Sequence, residues 1–101
     1  INEQSLSDAE MTAQGFKELK LGKIIGNGTY RWIIFTSGVS LVDGSNVRMP
    51  SWGCYSFDGK DLEQTGVQPD IQVINSFEDR LTGKDPQLDK AIEEILKQLN
   101  R

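Results

Sequence analysis

The first residues able to do chemistry form one short run, Ser7-Asp8-Ala9-Glu10. A serine followed three residues later by Glu marks a helix start, where hydroxyl and carboxylate exchange bonds with backbone N–H groups that have no helical partner. Most serines in this pattern are caps. The same place, however, offers free N–H groups and the positive end of the helix dipole, the environment that stabilises an oxyanion during acyl transfer. A cap and a nucleophile can therefore share one position. On residue type alone, Glu63 is an exposed carboxylate that follows the Asp58-Gly59 turn. Asp70, after Pro69, suits a turn residue that binds backbone amides.

What is absent from the sequence narrows the chemistry further. There is no histidine and a single cysteine, Cys54. This excludes an internal disulfide and a multi-cysteine zinc site, and it removes the commonest general base. Cys54 reads as a small buried hydrophobe, since no histidine here can activate it. No metal or organic cofactor is implied. The net charge is −4, with eleven Lys and Arg scattered along the chain. Nucleic acid is not an expected partner, because phosphate binding needs cations clustered on one face. No apolar run approaches the ~20 residues that cross a bilayer. The first residue is Ile1, which suggests a segment of something longer.

The elements that would position these residues follow from periodicity. Ala9, Ala13, Phe16 and Leu19 keep helical spacing, and that helix should fade near Leu21-Gly22. Lys23-Ile24-Ile25 and Tyr30 to Thr36 read as strands around a Gly26-Asn27-Gly28-Thr29 turn. Leu41-Val42 and Val47 to Met49 flank a hairpin turn over Asp43 to Asn46, and Pro50 should end that pairing or bend it. Trp52 to Phe57 suggests another short strand, and Val67, Pro69, Ile71 and Val73 alternate like an extended segment. Phe77 to Gly83 reads as loop. Asp85 and Pro86 then open a helix striped by Leu88, Ala91, Ile92, Ile95, Leu96 and Leu99. The class is α/β. With 37% hydrophobic residues and 101 positions, the chain is one small domain or part of one.

Four ordered motifs point further. Asn2 to Met11, Gly26 to Tyr30, Leu62 to Asp70 and Gly83 to Leu88 resemble the last part of the catalytic domain in the serine peptidases of family S41. That family includes the C-terminal processing proteases and the tricorn branch. The resemblance covers nearly the whole chain and implies part of a ClpP/crotonase-like α/β fold. Residues 1–101 would be the C-terminal portion of the catalytic domain. It also implies that Ser7, and not Ser5, is the nucleophile, and that the backbone N–H of Asp8 is one oxyanion donor.

The branch can be read as well. The C-terminal processing branch uses a lysine base, and laid over Thr29 to Ile33 that lysine falls on Trp32, which cannot accept a proton. Arg31 is no substitute, since a guanidinium stays protonated. The tricorn branch resembles a Ser-His-Ser-Glu tetrad whose Glu stands in Glu-x-x-Gly-Val-x-Pro-Asp, matching Glu63. Its histidine would lie outside this stretch.

The resemblance thus implies peptide-bond hydrolysis through an acyl-enzyme on Ser7, a peptide or protein substrate, and no metal. The isolated stretch is expected to be inactive. A catalytically dead relative that binds peptides or mediates assembly is the rival reading. Met11 and Tyr55, with Trp52 and Phe57, are candidates to line a specificity pocket near Ser7, although apolar residues at such positions are more often core. Tyr30 to Thr36 is a candidate edge for a substrate held as an added strand. Apolar faces around Ile33 to Phe35 and along Leu88 to Leu99 suggest self-association. The resemblance favours an exported bacterial protein, and an intracellular one is also compatible.

Overall fold

The computed structural model describes residues 1–99. Four helices, α1 (Asp8–Glu18), α2 (Leu62–Thr65), α3 (Phe77–Leu81) and α4 (Pro86–Leu99), alternate with four strands, β1 (Ile25–Gly26), β2 (Ile34–Ser40), β3 (Asn46–Gly53) and β4 (Ile71–Gln72). The class is α/β, as the periodicity indicates. β1 and β4 pair in parallel, whereas β2 and β3 form an antiparallel hairpin.

β1 is flanked on both edges. Beyond its pairing with β4, the Ile1 amino group donates to Ile25 O at 2.9 Å and Asn27 N donates to Ile1 O at 3.0 Å. These two bonds bracket Gly26 in the parallel pattern. A Cβ at Gly26 would lie 1.8 Å from Ile1 O, and φ there is +136°, so only glycine permits this approach. Ser7 therefore lies just past the carboxyl end of a parallel arrangement, the usual place for sites in α/β sheets.

α1 ends earlier than its sequence suggests. Lys20 takes the left-handed position at φ 53°, and Leu21 N reaches back to Phe16 O at 3.1 Å. This is the closing bond of a Schellman turn, made here without glycine. Tyr30 to Thr36 differs more from expectation, because residues 30–33 are not strand and β2 starts at Ile34. The cause is Glu10, which gathers the backbone N–H groups of Arg31 and Trp32 and denies them to a ladder. Pro50 lies inside β3. Phe35 faces Trp52 and Thr36 faces Pro50, so Ser51 is the extra residue of a β-bulge that bends the hairpin there. Trp52 to Phe57 is strand only to Gly53, after which Tyr55 makes a single bridge to Asp61.

The segment Phe77 to Gly83, expected as loop, contains α3. Ser76 accepts Asp79 N at 3.1 Å while Asp79 Oδ2 accepts Ser76 N at 2.9 Å, a capping box that starts the turn. α4 begins as its sequence indicates, with Asp85 Oδ1 accepting Leu88 N at 3.0 Å. It is tied to the β1 region by Lys23 to Glu94 at 3.1 Å. Lys23, then Lys97 and Lys90, hold the Glu94 carboxyl down to about 2.

Among the described residues the buried apolar core is Ala13, Ile24, Ile33, Leu62 and Val67. No residue of α4 is buried, and Leu88, Ile92, Ile95, Leu96 and Leu99 are all exposed. The radius of gyration is 17.5 Å, against about 13 Å for a compact domain of this length. So large an uncovered apolar surface leads us to expect association of the isolated chain, checked by sedimentation velocity. A compact monomer at high concentration would contradict it.

Asp70 acts as its sequence context suggests, holding β1 to the start of β4. Its Oδ2 accepts Ile24 N at 2.8 Å and its Oδ1 pairs with Lys17 at 3.2 Å. The Ile24 amide, and then Lys17, keep its carboxyl below the usual carboxylate range. A lowered carboxyl stabilises the fold above its ordinary value near 3.8 and loses that contribution as pH falls through the lowered one. Asp70→Asn should cost about 1 kcal/mol at neutral pH, since the site is half solvated. Thermal denaturation across pH should show the gap from wild type closing below pH 3.8.

Candidate active site

Ser7 occupies a backbone conformation that side chains avoid, φ 55° and ψ −116°. A non-glycine residue there costs roughly 1–3 kcal/mol and persists only where its surroundings impose it. The imposing group is Glu10. This carboxylate is fully buried and its oxygens accept four bonds. Oε2 takes Ser7 N at 3.0 Å and Trp32 N at 3.1 Å, while Oε1 takes Thr29 Oγ1 at 2.5 Å and Arg31 N at 2.7 Å. A charged group with this many donors satisfies the condition for being buried at all.

The turn at 29–32 is bound elsewhere too. Thr29 Oγ1 accepts Val67 N at 2.8 Å, Thr29 N donates to Val67 O at 3.1 Å, and Tyr30 N donates to Ser5 O at 2.9 Å. Ser5 is therefore structural through its carbonyl, and its hydroxyl accepts Asn2 N at 3.2 Å. Ser7 differs. Its carbonyl starts the helix by accepting Glu10 N and Met11 N, and its N–H and hydroxyl stand against the Glu10 side chain and backbone in a capping-box arrangement, the hydroxyl without a hydrogen bond of ordinary geometry among the described residues. Among the described residues Asp8 N–H donates no hydrogen bond either. An unengaged hydroxyl beside an unengaged N–H at a helix start is the geometry an acyl-transfer nucleophile and its oxyanion donor require.

Ser7 opens on a groove of about 430 Å³, lined also by Leu6, Trp32, Ile34, Thr36, Arg48 and Pro50. Trp32 faces this groove, its ring stacked on Tyr30 with centroids 5.9 Å apart. Trp32 and the hairpin thus build one wall, and Leu6-Ser7, just before α1, the other. Sequence reasoning did not single out Arg48, and read Glu10 only as a cap. The Ser-x-x-Glu spacing reveals one of the four bonds of Glu10, whereas the rest come from residues 19 to 22 positions later.

The remaining candidates lie apart from this groove. Glu63 stands exposed in the first turn of α2, its N–H held by Asp61 Oδ1 at 3.0 Å. Met11 and Tyr55 do meet, around a separate depression of about 180 Å³ that includes Cys54 and Phe57 but not Ser7. Partial burial, and then the Asp61 carboxylate, push the Cys54 thiol up, which makes it a poor nucleophile. No cluster of possible metal ligands occurs among the described residues.

The site is a strained serine at a helix mouth over a largely apolar groove on an α/β frame. The chain belongs to peptidase family S41, whose family model matches residues 1–73. It is 36% identical to the tricorn protease of Thermoplasma acidophilum over 97% of its length, covering 9% of that protein. It is 41% identical to the tricorn-like protease C-terminal subunit of Sulfurisphaera tokodaii, covering 97% of this chain and 12% of that one. The crystal structure of the tricorn protease superposes with a TM-score of 0.87 at 34% identity, over 98% of this chain and 10% of that one. The photosystem II D1 C-terminal processing protease gives 0.64 at 32% identity, over 71% and 19%. The chain thus spans about a tenth of the tricorn relatives it matches.

Glu10→Gln must set an N–H donor against two existing donors whichever way its amide turns. We expect a loss of about 3 kcal/mol or more, read from urea unfolding, because two bonds to a charged group go at once.

Proposed function

We propose that residues 1–101 are the C-terminal portion of the catalytic domain of a serine endopeptidase, with Ser7 as nucleophile. The observation that carries this reading is the strained φ 55° of Ser7, with its hydroxyl uncommitted over the groove. Backbone strain of this kind serves a site more often than a cap, since a cap needs no unusual φ.

In the proposed reaction Ser7 Oγ attacks the carbonyl carbon of a peptide bond. Its proton passes to a histidine supplied from outside these residues, and the Asp8 N–H donates to the developing oxyanion. Collapse of the tetrahedral species breaks the C–N bond, and the histidine returns the proton to the leaving amine. Water then attacks the acyl-enzyme by the same route and releases the acid and Ser7. Glu63 is the positioning residue that orients the base, directly or through a second serine. Its helix is coupled to the nucleophile, because α2 leads through Gly66 into Val67, which is bonded to Thr29, and Thr29 shares Glu10 with Ser7. A peptide lying along the hairpin edge would supply the substrate.

The rival reading, a catalytically inactive peptide-binding or assembly module, draws support from the groove itself. No lining residue there is a base at neutral pH, since its only ionisable group is Arg48. Labelling separates the two. In the full-length protein a serine-directed acylating probe should modify Ser7, and Ser7→Ala should abolish labelling and cut peptide hydrolysis on the order of 10⁴-fold or more. Turnover that survives Ser7→Ala rejects the nucleophile. A folded wild type that neither labels nor hydrolyses establishes the binding module.

A further inference from the structure

Arg48 has no role in the scheme above, yet it lines the groove beside Ser7. Its position is fixed from one side. Arg48 Nε donates to Thr36 Oγ1 at 2.7 Å, across the hairpin on the same wall as Trp32 and Pro50. This bond holds the plane of the guanidinium and uses one of its five donors. No carboxylate pairs with it among the described residues, as is also true of Lys20, Arg31 and Lys84; of these four, Arg48 is the one that lines the groove.

The surroundings define what would satisfy it. Leu6, Trp32, Ile34 and Pro50 supply apolar walls, which weaken competition from water and strengthen a charge-assisted bond. No acidic side chain lines the groove among the described residues, and the buried Glu10 carboxylate behind Ser7 and Trp32 has its charge taken up by four donors. The remaining N–H groups of a guanidinium anchored through Nε form the fork that donates to both oxygens of a carboxylate. We infer that Arg48 makes the groove selective for a peptide bearing an acidic side chain close to the bond presented to Ser7. A substrate strand on the hairpin edge would place alternate side chains on the groove face, and one of them meets Arg48.

The inference rests on the peptidase reading for turnover but not for binding, and the experiment uses both. In the full-length protein, matched peptides with Glu or Gln at each position flanking the cleaved bond should differ at one position. Glu should be favoured there by about tenfold in kcat/KM. Arg48→Gln should bring that ratio to near one, and Arg48→Glu should reverse the preference toward a Lys peptide. In the Ser7→Ala background, fluorescence anisotropy of the same peptides should show the same dependence on Arg48 without any hydrolysis. Hydrolysis with no Glu-over-Gln preference at any position overturns the role of Arg48 and leaves the peptidase standing. Selective binding without hydrolysis by the wild type does the reverse. A preference that follows a free against an amidated peptide C-terminus, rather than the side chain, assigns the guanidinium to the terminal carboxylate and also overturns the inference.

Discussion

One buried carboxylate organises this chain. Glu10 belongs to the first turn of α1, where it suits the positive end of the dipole, yet three of its four hydrogen bonds leave the helix for the 29–32 turn. Taking a charge out of water is expensive, and only a full set of donors offsets that cost. The chain must therefore bring Ser7 N, Thr29 Oγ1, Arg31 N and Trp32 N to one point. Two of these residues do so at a backbone expense: Ser7 and Arg31 both stand at positive φ, 55° and 70°. The strain at Ser7 and the irregular backbone before β2 have one origin.

From that point the connections run outward. Thr29 carries the constraint to Val67 and so to the end of α2, and Gly66 has to be glycine because a Cβ would come within 2.7 Å of both Thr29 and Arg31. Ile24 and Asp70 carry it to β4. The Ser7 and Glu63 elements are thereby coupled through hydrogen bonds rather than through a large core, which five buried apolar residues cannot supply. That economy fits a chain spanning about a tenth of its tricorn relatives.

Local patterns were the legible part of the sequence. The helix start at Ser7-Asp8, the Asp58-Gly59 turn, the Asp85-Pro86 helix start and the amide-binding role of Asp70 all depend on neighbours or on simple side-chain chemistry. α3 was missed although Ser76 and Asp79 stand in the same spacing as Ser7 and Glu10, because no apolar stripe follows them. Tyr30 to Thr36 misled for the opposite reason: its β-rich composition is real, but a carboxylate twenty positions earlier takes its amides. Met11 and Tyr55, expected beside Ser7, line a depression that does not include it, because their separation from the groove is set by tertiary packing and not by local pattern. Arg48 gave no signal, since nothing in Asn46-Val47-Arg48-Met49 distinguishes an exposed strand residue from one beside a nucleophile.

The two lips of the groove are not mechanically equal. Ser7 is pinned by Glu10, whereas Trp32 leads into a bent two-stranded arm whose strands pair mainly with each other, and such an arm is marginal on its own. Local opening should therefore release hairpin amides to hydrogen exchange before those around Glu10. An incoming ligand meets a rigid anvil on one side and a compliant jaw on the other. Ordering that jaw draws on the free energy of association, so tight fit and adaptability trade against each other.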